Sequence, residues 1–439
     1  MKNKKIDMLN GPLVGKIVIF ALPLALSRFD SDKAMAAVGS NSSLVNLIVS
    51  LFLGLSVGAN VVVARLIGQG RKDKANEAVH TVVLLAVISG FIILGVGEIL
   101  APILLGMMNV PDDVLKLATL YLRIFFFAMP FIEIYDFGSA VLRSKGDSTR
   151  PLYALITAGV INVILNLVFV IVFKMGVAGV ATATVISNFF SACMILYFLT
   201  HEEEMLRLDF RKLRIRWKYL LGIIKIGLPA GLQSMVFSLS NVVIQAAINS
   251  FGSDGIAGST AEQNFEFMAY FVINAFAQTA TTFTSQNFAA QDKERCKKIY
   301  RLCTFIGLAS CLGLSLIFLI GRHLFIQIFS TDENVIHYAM IRMWSVCLLE
   351  LLTGVYEISG GCLRGMGHSM TPAVITVLGT CVFRLVWVNT IYAAHRSYLM
   401  LMIVYPVSWV ITGTAVTVAY FIIRRKEFAQ IGKRRADII

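Results

Sequence analysis

Long apolar segments alternate with short polar stretches along the whole chain. Most approach or exceed the roughly 20 residues that a helix needs to cross about 30 Å of hydrocarbon. Lipid offers no hydrogen-bond partner to an exposed backbone, so such runs must be helices or a closed barrel, and continuous rather than alternating hydrophobicity favours helices. The pattern predicts twelve segments, at 13–27, 34–66, 76–107, 114–142, 152–173, 177–199, 219–250, 255–287, 298–328, 333–363, 372–393 and 397–423.

One loop motif occurs twice. The ten residues that begin at Leu142 reappear at Leu363, 221 positions later, with Leu, Arg, Gly, Ser and Pro in the same places. Each copy lies between two apolar segments, and such internal repeats are typical of transporters that alternate between inward- and outward-open states. The predicted organisation is an N-lobe with helices 1–6 (1–200), a basic cytoplasmic linker (201–218), a C-lobe with helices 7–12 (219–424) and a basic cytoplasmic tail (425–439).

The first segment is short. Leu13 to Ser27 would span only about 22 Å as a helix, less than the hydrocarbon core. The Ala-Leu-Pro run that ends at Pro23 matches Gly-Leu-Pro ending at Pro229 at an offset of 206, so the first repeat lacks about 15 residues (221 − 206). We favour residues missing from the sequence over a strained short crossing. The predicted fold is therefore an all-α integral membrane protein with twelve transmembrane helices in two pseudo-symmetric six-helix lobes and a shortened first helix.

Composition and charge agree with a membrane protein. Of the 439 residues, 57% are hydrophobic and only 15% charged, which excludes an ordinary soluble domain. Loops on the side of the N-terminus carry 28 Lys and Arg residues against six on the other side. This asymmetry predicts a multi-pass protein of the cell membrane with both termini in the cytoplasm. It also explains the net charge of +13 without a nucleic-acid partner.

Motifs for enzymatic chemistry are weak. The seven cysteines form no C-x-x-C pair, so we interpret them as small core residues and not as zinc ligands or disulfides. No glycine-rich loop with a lysine for binding phosphate is present, so direct use of ATP is not expected. We therefore expect neither an enzyme nor a bound cofactor.

Ionisable residues within the apolar segments are the strongest functional candidates, because charges at membrane depth are costly. Arg384 lies near the middle of the eleventh segment and requires a counter-ion. The tenth segment carries Glu350 and, two turns further, Glu357; Glu262 and Glu266 are four residues apart on the eighth. Four carboxylates against one arginine leave a negative surplus for a proton, Na⁺ or a cationic substrate. The alternative is that Arg384 and one glutamate merely pin two helices together.

The first half of the chain has a smaller set of polar candidates. Asp136 precedes Glu357 by 221 residues, so each lobe carries an acid at an equivalent depth; pairing with Arg143 is the structural alternative. Asn162 and Asn166 lie one helical turn apart and could offer amide oxygens to a cation. Hydrogen bonding between helices would explain them equally.

Several motifs together resemble the multidrug and toxic compound extrusion (MATE) family. These are the Ala-Leu-Pro start, the Gly-rich run from Gly54 to Asn60, Gly68-Gln-Gly70 and the doubled Leu-Arg-x-x-Gly-x-Ser-x-x-Pro loop. The resemblance covers essentially the whole chain. It implies two six-helix lobes and a secondary antiporter, monomeric in the bilayer, that exports cationic amphiphilic compounds in exchange for Na⁺ or H⁺ by alternating access.

The chain departs from the family at its usual carboxylates. Members normally carry an Asp late in the first helix, and some have Asn-x-x-x-Asp in the fifth, where this chain has Asn162 and Asn166. Others have a Glu in the seventh helix, where this chain has Phe237-Ser-Leu. Coupling is therefore expected at Glu266, Glu350 and Glu357, balanced by Arg384. The remaining alternatives are a flippase for lipid-linked saccharides and a non-transporting membrane receptor or scaffold.

Overall fold

The computed structural model describes residues 32–107, 112–327 and 329–436. This part of the chain is helical and contains no strand. The first predicted segment (13–27) and its shortening lie outside the described residues. The helices are α1 Asp32–Gly68, α2 Lys72–Met107, α3 Asp112–Phe126, α4 Met129–Ser144, α5 Thr149–Leu167, α6 Gly176–Thr200, α7 Trp217–Asn249, α8 Gly252–Ala289, α9 Lys293–Ile320, α10 Arg322–Gln327, α11 Glu333–Ser345, α12 Leu351–Met366, α13 Met370–Thr376, α14 Phe383–Trp387 and α15 Tyr398–Ala436.

Short segments of different pitch join some of these helices into longer rods. Single π-helical turns follow α5 at Val168–Val172, α13 at Val377–Val382 and α14 at Val388–Tyr392. Short 3₁₀ turns lie at Phe210–Lys212 and Cys347–Leu349. The other eleven predicted segments thus each correspond to a helix or a nearly continuous helical rod.

Most of the rods can cross a membrane. Within the described residues, nine helical rods are long and apolar enough, and α3 with α4, bent by 45°, makes a tenth. The eighth segment, α8, is 38 residues long but too polar to meet the same criterion. Its glutamates and its many Ser, Thr, Asn and Gln side chains require partners inside the protein.

The chain forms two compact units, Met1–Gly227 and Leu228–Ile439. The boundary lies within α7 and not in the predicted linker (201–218). That stretch packs on the first unit, because Leu206 and Leu208 are buried among its apolar side chains. The backbone N–H of Asp209 also donates to Nε2 of His80 at 3.0 Å. The segment is therefore a folded part of the first unit.

A group of ion pairs fastens the first copy of the doubled loop to the end of α6. The carboxylate of Glu202, only 4% exposed, accepts hydrogen bonds from Lys145 and Arg150. Burial tends to raise the pKa of Glu202, but these bonds and the Lys145 charge lower it below its usual value. Burial likewise opposes ionisation of Asp147, and its bonds with Arg150 bring that pKa below its usual value. We call these four side chains the Glu202 clasp.

The doubled loop has the same backbone geometry in both units. Gly146 and Gly367 adopt φ of 91° and 96°, a left-handed conformation that favours glycine. The N–H of Asp147 donates to Leu142 O at 3.2 Å, and the N–H of His368 donates to Leu363 O at 2.9 Å. Both helices therefore end in the same hydrogen-bonded turn, which confirms the repeat at the level of the backbone.

A close helix crossing positions the polar residues of the second unit. A Cβ at Gly361 would lie 2.6 Å from the carbonyl oxygen of Ala277, and one at Gly365 would lie 2.7 Å from that of Thr281. Glycine at both positions lets α12 contact the backbone of α8 directly. The two helices that carry the predicted glutamates are thereby held side by side.

Candidate functional site

Two acidic side chains of α8 bind one arginine in the interior of the second unit. Nε of Arg342 lies 2.7 Å from Oε2 of Glu262, and its Nη2 lies 2.6 Å from Oε2 of Glu266. Nη1 of Arg342 donates to the hydroxyl of Ser259 at 2.8 Å. Because Glu262 and Glu266 are four residues apart, they project from one face of α8 and reach the same guanidinium group.

This pairing corrects the sequence-based assignment of the counter-ion. Arg342, on α11, is 0% exposed and is the partner of both α8 acids, a role expected for Arg384. Sequence reasoning treated Arg384 as the deepest cation and overlooked Arg342. A usable signal existed, since Arg342 lies in the same apolar segment as Glu350, nine residues after the segment's first residue.

Arg384, on α14, is held by neutral groups. It is 1% exposed; Nη1 donates to Oδ1 of Asn241 at 3.0 Å, and Nε donates to Ser408 at 3.3 Å. The guanidinium carbon of Arg384 lies 4.3 Å from the centre of the Tyr405 ring. The guanidinium carbon of Arg342 lies 5.3 Å from the centre of the same ring. Nη2 has no hydrogen-bond partner among the described residues. A buried cation thus lies near the acids, with no ion pair to any residue in the described part of the chain.

Glu350 is the third acid of this interior. It is 2% exposed, and its Oε1 accepts a hydrogen bond from Thr353 at 3.1 Å. Its Oε2 has no partner in the described part of the chain. The charges of Glu266, Arg384 and Glu262 are close enough to affect it. Of these three, only Arg384 is a cation, and it is not within ion-pair distance of Glu350. We call Glu262, Glu266, Arg342, Glu350 and Arg384 the charged cluster.

Glu357 stands apart from the charged cluster. Its Oε2 lies 3.8 Å from Nη1 of Arg364, an arginine of the doubled loop, and Nη2 of Arg364 donates to Gln233 at 2.9 Å. Asp136, its counterpart in the first unit, is half-buried on α4, two turns before Arg143. The structure therefore groups Glu357 with the doubled loop and leaves its predicted coupling role a hypothesis.

The amide pair of the first unit forms a local hydrogen-bonded chain. Nδ2 of Asn166 donates to Oδ1 of Asn162 at 2.9 Å, and Nδ2 of Asn162 donates to Ser187 on α6 at 3.2 Å. This is the hydrogen bonding between helices that the sequence left as an alternative. Oδ1 of Asn166 has no partner within the described ranges.

Glu133 is a buried acid of the first unit that belongs to no such chain. It is 1% exposed, and neither carboxylate oxygen has a hydrogen-bond partner among the residues described. Across residues 32–107, 112–327 and 329–436, no group of three or more His, Cys, Asp and Glu side chains is arranged to hold a metal ion.

Comparisons with known proteins identify the family. The MatE sequence model matches residues 17–168 and 229–389, one stretch in each half of the chain. A probable multidrug resistance protein of Bacillus subtilis, YoeA, is 26% identical over 81% of this chain and 78% of its own length. An FAD transporter of Shewanella oneidensis is 25% identical over 94% of this chain and 92% of its own.

Solved structures share the fold. A multidrug resistance MATE family transporter in its outward-facing conformation superimposes with a TM-score of 0.87, at 21% identity, over 98% of this chain and 95% of that chain. A transporter of the same superfamily from Pyrococcus furiosus also reaches 0.87, over 97% of this chain. The all-helical, multi-pass membrane fold predicted from the repeat is thus confirmed. The chain belongs to the MATE family of membrane transporters.

Proposed function

We propose that the protein is a secondary antiporter that exports cationic amphiphilic compounds in exchange for H⁺ or Na⁺ by alternating access. It acts as a monomer in the cell membrane, with both termini in the cytoplasm. Two relatives whose names describe multidrug resistance or export support this substrate class: YoeA and MepA of Staphylococcus aureus, the latter 21% identical over 86% of this chain.

The observation that carries the proposal is the unequal number of charges in the charged cluster. Three carboxylates face only two guanidinium groups, and each of the five residues is at most 8% exposed. If all are ionised, the net charge is −1. A net charge buried at membrane depth is costly, so a proton, Na⁺ or a cationic substrate stabilises the cluster.

Exchange follows from competition for that one charge. When a cation from one side neutralises the cluster, a cationic substrate no longer gains from binding there and leaves. When the cation is released on the other side, the substrate site is restored. Transport in opposite directions then requires only that the two ligands do not bind strongly together.

Flux in proteoliposomes tests this proposal. A pH gradient and a Na⁺ gradient are imposed separately, and movement of ethidium or norfloxacin is followed for the wild type, Glu266→Gln and Glu357→Gln. Glu98→Gln is the matched control, because Glu98 is an acid of α2 outside the charged cluster, 3.8 Å from the exposed Arg123. We expect gradient-driven flux to be lost in Glu266→Gln and kept in the control; loss in Glu357→Gln as well would give a coupling role to the acid that lies near Arg364. Wild-type flux in both Glu266→Gln and Glu357→Gln would refute the role given to these acids.

A second candidate is transport of an anionic aromatic compound. Nη2 of Arg384 has no hydrogen-bond partner among the described residues, and the guanidinium group lies over the rings of Tyr405 and Phe237, at 4.3 and 5.2 Å. Such an arrangement suits a flat compound that carries a phosphate or carboxylate. The relative named an FAD transporter gives this candidate a concrete substrate to test. If FAD moves through the same proteoliposomes and ethidium does not, the second candidate replaces the first.

A further inference from the structure

Residues 207–218 form a platform with one face fixed to the first unit. Leu208 is 2% exposed within the apolar core of that unit. The hydroxyl of Thr81 on α2 donates to the carbonyl oxygen of Arg214 at 3.1 Å and accepts from the N–H of Arg216 at 3.2 Å. These contacts hold the segment against the start of α2, so its other face has a defined orientation.

The face of this segment that points away from the first unit leads into an apolar surface of α7. Trp217, 72% exposed, is the first residue of α7 and starts a stripe of exposed apolar side chains that continues through Leu221 and Ile224, 61% and 38% exposed. Their spacing of four and three residues places them on one face of the helix, as for a lipid-facing surface. Tryptophan concentrates at the boundary between hydrocarbon and headgroups. Phe210, in the same segment, is a second exposed aromatic side chain, at 56%.

The same face carries an excess of positive charge. Nine exposed Lys and Arg side chains lie in residues 207–218 and at the adjoining start of α2, where Asn76 donates to the carbonyl oxygen of Arg207 at 2.9 Å. Lys212 pairs with Asp209 at 3.8 Å and Arg216 with Glu77 at 3.1 Å, and Asp73 is a further exposed acid among them. No ion-pair partner among the described residues is found for the other seven: Arg71, Lys72, Lys74, Arg207, Arg211, Arg214 and Lys218.

We infer that this surface, residues 207–218 with Arg71, Lys72 and Lys74, binds the headgroups of anionic phospholipids. We call it the basic platform. If Trp217 lies at the boundary between hydrocarbon and headgroups, the neighbouring cations face the phosphate groups of that leaflet. Each Lys or Arg near an anionic membrane surface contributes attraction, so several act together. The bound lipid anchors the first unit where α7 enters the bilayer. This inference is independent of what the protein transports.

Lipid enrichment around the full-length protein tests the inference. The protein is reconstituted in nanodiscs that contain phosphatidylcholine and phosphatidylglycerol, and the phosphatidylglycerol retained with it is counted by native mass spectrometry. The test variant carries Gln at Arg207, Arg211, Arg214 and Lys218. The matched control removes the same charge elsewhere, with Gln at Lys298, Arg301, Arg425 and Lys426, which are exposed side chains of the second unit.

We expect the wild type and the control to retain phosphatidylglycerol. In the test variant, the preference for phosphatidylglycerol over phosphatidylcholine should fall roughly tenfold. Equal loss in both variants would show that net charge alone attracts lipid and would overturn the inference, as would unchanged retention in the test variant. Free glycerol phosphate added to nanodiscs that contain phosphatidylglycerol should not reduce the amount of this lipid retained with the protein; displacement of the lipid would point to a soluble phosphate ligand and overturn the inference.

A labelling measurement on the wild type does not depend on the folding of any variant. A water-soluble amine reagent is applied to the protein in nanodiscs with and without phosphatidylglycerol. Labelling of Lys72, Lys74 and Lys218 should fall severalfold in the anionic nanodiscs relative to Lys298 and Lys426. Equal protection of all five lysines would contradict a localised lipid site.

Discussion

The two units carry different charges at corresponding positions. The cluster residues Glu262, Glu266, Arg342, Glu350 and Arg384 of the second unit correspond, 221 positions earlier, to Asn41, Val45, Tyr121, Met129 and Val163. These are all neutral, and Asn41 donates to the carbonyl oxygen of Ala118 at 3.0 Å instead of binding an arginine. Both units nevertheless share the turn at Gly146 and Gly367. The helical framework can therefore be duplicated while the charged cluster is present in one copy only.

Among substitutions that test this difference between the units, we expect Arg342→Met to change the free energy of unfolding most. The substitution leaves Glu262 and Glu266 buried without a cation and should cost roughly 3–5 kcal/mol of unfolding free energy. Unfolding of the purified protein in mixed micelles, followed by its helical circular dichroism, measures the loss.

The control at the corresponding position of the first unit is Tyr121→Phe, for which the expected loss is below about 0.5 kcal/mol. Adding Glu262→Gln and Glu266→Gln to Arg342→Met should recover most of the stability. Absence of any recovery would mean that packing of the Arg342 side chain, and not its charge, stabilises the unit.

A smaller effect is expected from Gly361→Ala. The new Cβ would lie 2.6 Å from the carbonyl oxygen of Ala277, so α12 must move away from α8 at a cost of roughly 1–3 kcal/mol. The corresponding residue of the first unit is already an alanine, Ala140. We expect Ala140→Gly to lower the free energy of unfolding by less than Gly361→Ala does. Equal or greater loss at Ala140 would remove the distinction between the two crossings.

Substitutions at Glu202 and Glu427 compare how strongly the doubled loop is held in each unit. Glu202→Gln weakens the bonds to Lys145 and Arg150 and should cost about 1–2 kcal/mol. The matching contact in the second unit, Nε2 of His368 with Glu427 at 2.9 Å, is more exposed, and Glu427→Gln should cost about 0.5 kcal/mol or less. Thermal unfolding of both variants in micelles ranks the two contacts.

The stabilisation that the Glu202 clasp provides should decrease at acidic pH. The pKa of Glu202 is lower in the folded protein than its usual value, so its stabilisation is complete above the unfolded pKa of about 4.3. It is lost as the pH falls through the lowered folded pKa. The stability difference between wild type and Glu202→Gln should therefore be constant from neutral pH to about 5 and shrink below it. A difference that grew on acidification would contradict this assignment.

The smallest effect is expected from Glu133→Gln. The amide has nearly the same shape, and the carboxylate has no hydrogen-bond partner among the described residues, so the change in stability should stay within about 1 kcal/mol. Gradient-driven transport should also be retained. Loss of transport would break the contrast, because it would place a coupling acid in the first unit.

The sequence predicted the framework more completely than the site. Continuous apolar runs and the doubled loop were sufficient for the helices and the repeat, since both depend on local patterns. The partner of Glu262 and Glu266 could not be found in that way, because Arg342 meets them only through the packing of α11 on α8. The packing of residues 201–218 on the first unit was missed for a similar reason: they look like a solvated basic stretch, and Leu206 and Leu208 alone hint at burial.

Competition between a cation and the substrate tests the central claim most directly. The affinity of the purified protein for ethidium is measured over a range of pH and of Na⁺ concentration, for the wild type, Glu266→Gln and Glu133→Gln. The account predicts that H⁺ or Na⁺ weakens ethidium binding to the wild type and to Glu133→Gln, and that this competition disappears in Glu266→Gln. Competition that persists in Glu266→Gln but disappears in Glu133→Gln would contradict the account, because the exchanged charge would then lie in the first unit.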